Sequence, residues 1–125
     1  MKKHHSPGIF VEVKGMVAST GDDGVSMGIA HVNKNGDGID NVPKKTILVA
    51  NNPKVDIYRA IQNQCLGIIT DCGGMTCHAA LFAREHRLPC IVGTGNATII
   101  IKSGDYIIMN MVTGEILLGS RAGVK

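Results

Sequence analysis

Residues 73–85 constrain this chain most, because they place a histidine where a tight turn becomes a helix. The stretch reads GGMTCHAALFARE. The Gly73-Gly74 pair permits positive φ in the turn, and the first amides of the helix that follows have no intrahelical acceptor. The helix dipole adds roughly half a positive charge at the same end. An anion attached to His78 would therefore be stabilised by those amides.

His78 has the side chain that a transient phosphoryl carrier needs. A neutral imidazole is available near neutral pH and can attack phosphorus through a ring-nitrogen lone pair. The N–P bond is labile enough to be passed on, whereas a serine or threonine phosphate ester is not. This chemistry makes His78 the candidate phosphoacceptor once the surrounding motif is taken into account, and a helix-terminal histidine that merely bonds a neighbour is the alternative.

The residues just before His78 are predicted to shape its site. Gly73, Gly74 and Cys77 are expected to form a turn that cradles the phosphoryl group. Thr76 is expected to hydrogen-bond the other ring nitrogen and so orient His78; a role as helix N-cap is compatible with this. Because successive helix residues point in different directions, Cys77 is expected to face the domain and His78 the solvent.

Arg84 lies further along the same helix and is a candidate contact for phosphate or for a partner domain. The helix places its Cα nearly two turns from His78, so Arg84 is not expected to touch the same phosphate without movement of the chain. Charged residues on an amphipathic helix commonly form its solvated face, and that alternative stays open.

The chain contains four cysteines, at Cys65, Cys72, Cys77 and Cys90. Reduced thiols with a packing role are predicted, since no secretory signal points to a disulfide framework. A zinc site is disfavoured because no second ligand pair accompanies Cys72 and Cys77. Residues 33–44 imitate a calcium loop only in part, since Asn33 and Lys44 occupy ligand positions one and twelve. No metal is predicted, and a cysteine-based redox or metal protein is the weakest alternative.

Composition argues for one domain and against nucleic-acid or membrane partners. With 125 residues, 44% of them hydrophobic, the chain can close a single core. The net charge of +3 is spread along the sequence, and two Tyr, two Phe and no Trp offer few platforms for stacking on bases. No apolar run approaches the roughly 20 residues of a membrane-spanning helix, and no signal peptide is recognisable. A cytoplasmic location is predicted.

Hydrophobic periodicity predicts an α/β core with β-rich flanks. The first third reads as a β meander, followed by a polar loop over residues 33–41. A helix is expected to begin at Asn52-Pro53, and a second at His78, stopped by Leu88-Pro89. The predicted strands are residues 9–13, 16–19, 27–32, 46–50, 67–70 and 90–93, with a terminal hairpin over 106–109 and 115–118.

The motif continues beyond the helix, through Leu88-Pro89-Cys90-Ile91-Val92-Gly93 and Asn96-Ala97-Thr98. Together with GGMTCHAALFARE, it resembles the phosphohistidine (swivelling, or mobile) domain of phosphoenolpyruvate-utilising enzymes. Members include phosphoenolpyruvate synthase, pyruvate phosphate dikinase and the first enzyme of the sugar phosphotransferase system. Cys77 is typical of the synthase branch and Met75 of the dikinase branch, so the branch stays open.

The resemblance implies a three-layer β/β/α swivelling domain over residues 9–119, with a leader at 1–8 and a tail at 120–125. It also implies that His78 shuttles a phosphoryl group between an ATP-grasp module and a TIM-barrel module that interconverts pyruvate and phosphoenolpyruvate. ATP and Mg²⁺ are expected on those partner modules, with no cofactor on this chain. The 125 residues leave no room for either module, so the chain alone is not expected to turn over pyruvate. A non-catalytic swivelling module for docking or regulation is the alternative.

Overall fold

The computed structural model describes residues 10–22, 24–33, 44–52 and 64–119. These ranges contain strands β1 (Phe10–Lys14), β2 (Met16–Ser19), β3 (Val25–Asn33), β4 (Ile47–Ala50), β5 (Gly67–Thr70), β6 (Cys90–Val92), β7 (Tyr106–Asn110) and β8 (Glu115–Leu118). They also contain helices α1 (His78–Glu85) and α2 (Ala97–Ile100). The helix predicted after Asn52-Pro53, most of the 33–41 loop, the leader and the tail lie outside the described residues. The bounds of the domain at 9–119 therefore stay a prediction.

The long strand β3 links two sheets, because each half of it pairs with a different neighbour. Val25 to Ile29 pair antiparallel with β7, and Ala30 to Asn33 pair parallel with β4. The strand order is β1-β8-β7-β3-β4-β5-β6-β2. The first sheet is antiparallel, whereas β3 to β6 run parallel with β2 antiparallel at their edge. The terminal hairpin predicted for β7 and β8 is confirmed.

The predicted β meander is wrong, since β1, β2 and β3 do not pair with one another. Strand β1 pairs with β8, and β2 pairs with β6 at the other end of the strand order. Gly15 makes this change of sheet feasible: a Cβ there would lie 2.4 Å from the Val92 carbonyl oxygen. Its amide donates to the Gly114 carbonyl at 3.0 Å. Without a side chain, the backbone can pass from one sheet to the other at this corner.

The parallel strands bury both faces, which creates three layers. Alternate residues point in opposite directions along a strand, so Leu48 and Ile68 face α1 while their neighbours Ile47 and Ile69 face the first sheet. The α1 side is completed by three fully buried alanines, Ala79, Ala80 and Ala83. The opposite side is completed by Val13, Ile107, Met109 and Ile116. The predicted three-layer β/β/α arrangement is confirmed, and α1 lies on the parallel sheet through its small side chains.

Candidate functional site

The turn between β5 and α1 carries the glycine pair. Gly73 adopts φ 111°, which favours glycine, whereas Gly74 is not in the left-handed region. The Cys77 amide donates to the Gly74 carbonyl at 3.1 Å and closes the last part of the turn. A Cβ on Gly93 would approach the Gly73 carbonyl oxygen to 3.0 Å, and Gly93 itself has φ 71°. Glycine at 93 therefore lets the end of β6 lie close beneath the turn.

His78 is the first residue of α1, and its side chain is exposed. The first intrahelical bond runs from the Leu81 amide to the Cys77 carbonyl at 3.0 Å, so the amides of residues 78–80 precede it. Cys77, rather than Thr76, is the N-cap residue, and its side chain makes no capping bond within the described structure. The first turn, residues 78–81, contains no acidic side chain. These amides and the helix dipole are thus available to an anion on His78.

The cysteines near the site behave as the sequence predicted, with one exception. All four are free thiols. Cys77 is partly buried and packs on the apolar cluster beneath α1, while His78 faces out. Burial raises the pKa of Cys65 to about 11 and that of Cys90 to about 12. Cys72 is exposed in the turn and has no packing role there.

Arg84 reaches back to the turn that precedes His78, which leaves the expectation about the phosphate on His78 untested. Its Nε donates to the Ala18 carbonyl at 2.9 Å, and its Nη2 donates to the Met75 carbonyl. Long side chains on a helix lean towards its N-terminus, which explains the reach. The guanidinium therefore joins β2 to the turn that precedes His78. A contact with phosphate or a partner stays a prediction for this residue.

Phe82 is a feature of the site that the sequence reasoning missed. Its ring stacks on the His78 imidazole, with centroids 5.7 Å apart and planes inclined by 28°. It also makes a T-shaped contact with His86, at 4.8 Å and 85°. The spacing of four residues on one helix was the available signal. Thr76, by contrast, is exposed, and its orienting role stays a prediction.

Asp71 is the second residue that the sequence reasoning missed. It lies at the start of the turn between β5 and α1 and fixes that turn to neighbouring loops. The side chain is only 6% exposed and lies directly after β5. Its carboxylate accepts bonds from the Thr98 amide at 3.0 Å and hydroxyl at 2.5 Å, the Thr94 hydroxyl at 3.3 Å and the Asn51 amide group at 3.1 Å. One carboxylate thus joins the ends of β4 and β5 to the loop after β6.

The described ranges contain neither a cluster of metal-ligating side chains nor a membrane-spanning helix. They hold no group of three or more His, Cys, Asp or Glu side chains that could bind a metal ion. No helix there is long and apolar enough to cross a bilayer. The residues that the structure does bring together at α1 are His78, Leu81, Phe82, Arg84 and Glu85, which border one surface depression.

The comparisons with known proteins identify the family to which this three-layer domain belongs. Residues 42–114 match the family described as PEP-utilising enzyme, mobile domain, and the chain belongs to this family. It is 37% identical over 91 residues to phosphoenolpyruvate synthase of Deinococcus radiodurans, covering 73% of this chain and 12% of that protein. It is 47% identical over 53 residues to phosphoenolpyruvate-protein phosphotransferase of Buchnera aphidicola, covering 42% of this chain and 9% of that one. The chain therefore spans only a small part of these relatives.

Solved structures give the same fold. The solution NMR structure of an Enzyme I protein matches with a TM-score of 0.52 and 28% identity, over 63% of this chain and 32% of that one. Aconitase X of Thermococcus kodakaraensis matches with a TM-score of 0.56 over 85% of this chain and 96% of that one, at 15% identity. The second likeness shows the fold alone, because one fold serves several functions.

Proposed function

We propose that this chain is a phosphoryl carrier, in which His78 accepts a phosphoryl group at one active site and donates it at another. The observation that carries the proposal is the position of His78: exposed, at the start of α1, beside amides that precede the first intrahelical bond. Membership of the mobile-domain family, and the names of its relatives, support the same role.

The chemistry requires little beyond a nucleophile and a place for charge. An imidazole nitrogen attacks the transferred phosphorus while the bond from that phosphorus to the donor's leaving oxygen breaks, so an N–P bond replaces an O–P bond. At the acceptor site the acceptor's oxygen attacks, the N–P bond breaks, and neutral imidazole is restored. Between the two events the phosphoryl charge lies against the amides of residues 78–80 and the positive end of the helix dipole.

The partners are proposed to be an ATP-grasp module and a TIM-barrel module that handles pyruvate and phosphoenolpyruvate, in the same polypeptide or in separate ones. The relatives named for phosphoenolpyruvate are much longer than this chain, which leaves room in them for other modules. ATP and Mg²⁺ are proposed to bind those modules, where they would activate the donor phosphoryl group. The contribution of this chain is the nucleophile and the amides that hold the phosphorylated state.

The test is transfer of label from β-³²P-ATP to the chain by a synthase-type ATP-grasp module without its own carrier. His78→Ala is the key variant, and His31→Ala is the matched control, because His31 is a partly buried histidine of β3, outside α1. Acid-labile, alkali-stable label is expected on the wild type and on His31→Ala but not on His78→Ala. The native carrier of the module serves as the positive control.

A negative result with ATP calls for the second donor, ³²P-phosphoenolpyruvate with a barrel module. Label from either donor that depends on His78 supports the carrier. If neither donor labels the chain while native carriers are labelled, the proposal is wrong, and a non-catalytic docking or regulatory module becomes the better account. Label that persists on His78→Ala would also contradict it.

A further inference from the structure

The imidazole of His78 has one face covered by an aromatic ring, and this contact bears on how the nucleophile is oriented. The Phe82 ring stacks on it with a centroid separation of 5.7 Å and an inclination of 28°. This separation lies within the range of favourable offset stacking. Phe82 is thus the described side chain that holds the imidazole by its face.

The Phe82 ring is itself held from two further directions. It is half-buried and packs on the apolar cluster under α1, which contains Ala79, Ala83 and Cys90. His86 meets it edge-on from the following turn at 4.8 Å. A ring with a packed base and a perpendicular neighbour offers a fixed platform, whereas an exposed side chain without such contacts samples several rotamers.

Stacking orients an imidazole without consuming its nucleophile. The lone pair of a ring nitrogen lies in the plane of the ring, so a partner on the face leaves both nitrogen edges accessible. A hydrogen bond from a hydroxyl such as that of Thr76 would instead occupy one edge. Reaction rates depend on holding a nucleophile near its attack geometry, and restricting the plane of the imidazole removes part of that orientational freedom.

We infer that Phe82 is the positioning residue for the phosphoacceptor: its ring fixes the plane of the His78 imidazole so that a nitrogen edge faces the incoming phosphoryl group. The inference rests on the proposed function for its kinetic consequence, but the orientation can be tested by itself. The role belongs to the aromatic ring and not to apolar bulk, which separates it from simple packing.

The experiment compares Phe82→Leu, which keeps apolar bulk, with Phe82→Tyr, which keeps the ring. Leu88→Ala is the matched control, since Leu88 packs on the same apolar cluster but lies beyond the end of α1. Each variant is assayed for phosphoryl acceptance from the donor module and by proton NMR of the histidine ring resonances. Thermal unfolding midpoints show how much stability each variant has lost.

For Phe82→Leu we expect the kcat of acceptance to fall roughly three- to tenfold, the worth of one aromatic pair, with the KM for the donor module nearly unchanged. Phe82→Tyr should restore the rate, and Leu88→Ala should keep it despite a lower midpoint. The His78 ring protons should lose their ring-current shift in Phe82→Leu and keep it in Phe82→Tyr and Leu88→Ala.

Two kinetic results would overturn the inference: a Phe82→Leu rate equal to wild type, or losses of rate in Phe82→Leu and Leu88→Ala that simply follow their loss of stability. If the wild type itself accepts no phosphoryl group, the proposed function fails, and the NMR comparison then decides the orientation alone. Unchanged His78 ring protons in Phe82→Leu would show that Phe82 does not position the imidazole.

Discussion

Two helices begin at neighbouring turns after the parallel strands, and they differ in whether side chains accept hydrogen bonds from their first amides. At α2 the Ala97 amide donates to the Thr94 hydroxyl at 3.2 Å, and the Thr98 amide donates to the Asp71 carboxylate at 3.0 Å. At α1, the N-cap residue Cys77 makes no side-chain capping bond, and His78 stands exposed at the start of the helix. We call these the closed turn (residues 93–98) and the open turn (residues 72–78).

The closed turn has a built-in acidic partner, Asp71, whereas the open turn leaves its first amides to a group that is present only part of the time. The Asp71 carboxyl group is a fixed partner of the closed turn, and its burial makes that turn part of the scaffold. In the carrier account, a phosphoryl group on His78 supplies the anion to the open turn only while it is being carried. Both use the same affinity of helix N-termini for negative charge.

Removing the Asp71 carboxyl group should have the largest effect on the free energy of unfolding. Asp71→Ala leaves the amide and hydroxyl of Thr98 without their acceptor inside the protein, and we expect a loss of about 3 kcal/mol in the free energy of unfolding. Thr76→Val, in the open turn, should change it by less than about 0.5 kcal/mol. Urea unfolding followed by circular dichroism measures both. Similar losses at the two positions would contradict the division into closed and open turns.

Alkaline pH should lower the free energy of unfolding through Cys90, which lies in the strand that leads to the closed turn. Burial raises the pKa of Cys90 from 9.0 to about 12, so the native state favours the protonated thiol. Its contribution to stability is therefore complete below about pH 9 and falls as pH rises towards 12. Between pH 8 and 10.5 we expect the wild type to lose about 2 kcal/mol more than Cys90→Ala in urea unfolding.

Cys72 provides the matched control for this pH dependence, because it is exposed in the open turn. Cys72→Ala should retain the alkaline loss seen in the wild type. If Cys90→Ala keeps the wild-type dependence as well, the buried thiol is not its source, and other groups must titrate on unfolding.

The smallest change in stability is expected at the C-terminal end of α1, where the backbone forms the helix cap. Arg87 adopts φ 55°, and the Leu88 amide donates to the Ala83 carbonyl at 2.9 Å. This left-handed cap favours glycine, so Arg87→Gly should stabilise the fold by about 0.5–1 kcal/mol. His86→Gly, at φ −103°, is the control and should destabilise. Thermal unfolding of the two variants tests this, and a loss of stability in Arg87→Gly would contradict it.

Local patterns made much of the fold predictable. The strands and α1 follow from apolar runs and from the glycine turn, whose signals lie within a few residues of each element. Pairing was not predictable in the same way. The corner at Gly15 and the division of β3 between two sheets depend on contacts with strands far along the chain, which periodicity does not encode. Thus the first third was predicted to pair with itself, although its strands pair elsewhere.

The site shows the same contrast between local sequence signals and long-range contacts. The motif indicated His78 and its turn because glycine, histidine and the helix are contiguous. Asp71 escaped notice because two of its partners, Asn51 and Thr98, lie 20 and 27 residues away. Phe82 could have been predicted from its four-residue spacing, and the reach of Arg84 from the lean of long helical side chains.

The most direct test is a ¹H–¹⁵N correlation spectrum of the chain before and after enzymatic phosphorylation, with the phosphorylated nitrogen assigned by its coupling to phosphorus. The carrier account predicts a phosphoryl group on His78, large shifts of the amides of residues 78–80, and little change at Thr98 in the closed turn. A phosphoryl group on His86 or His31, or amides at 78–80 that do not respond, would contradict it.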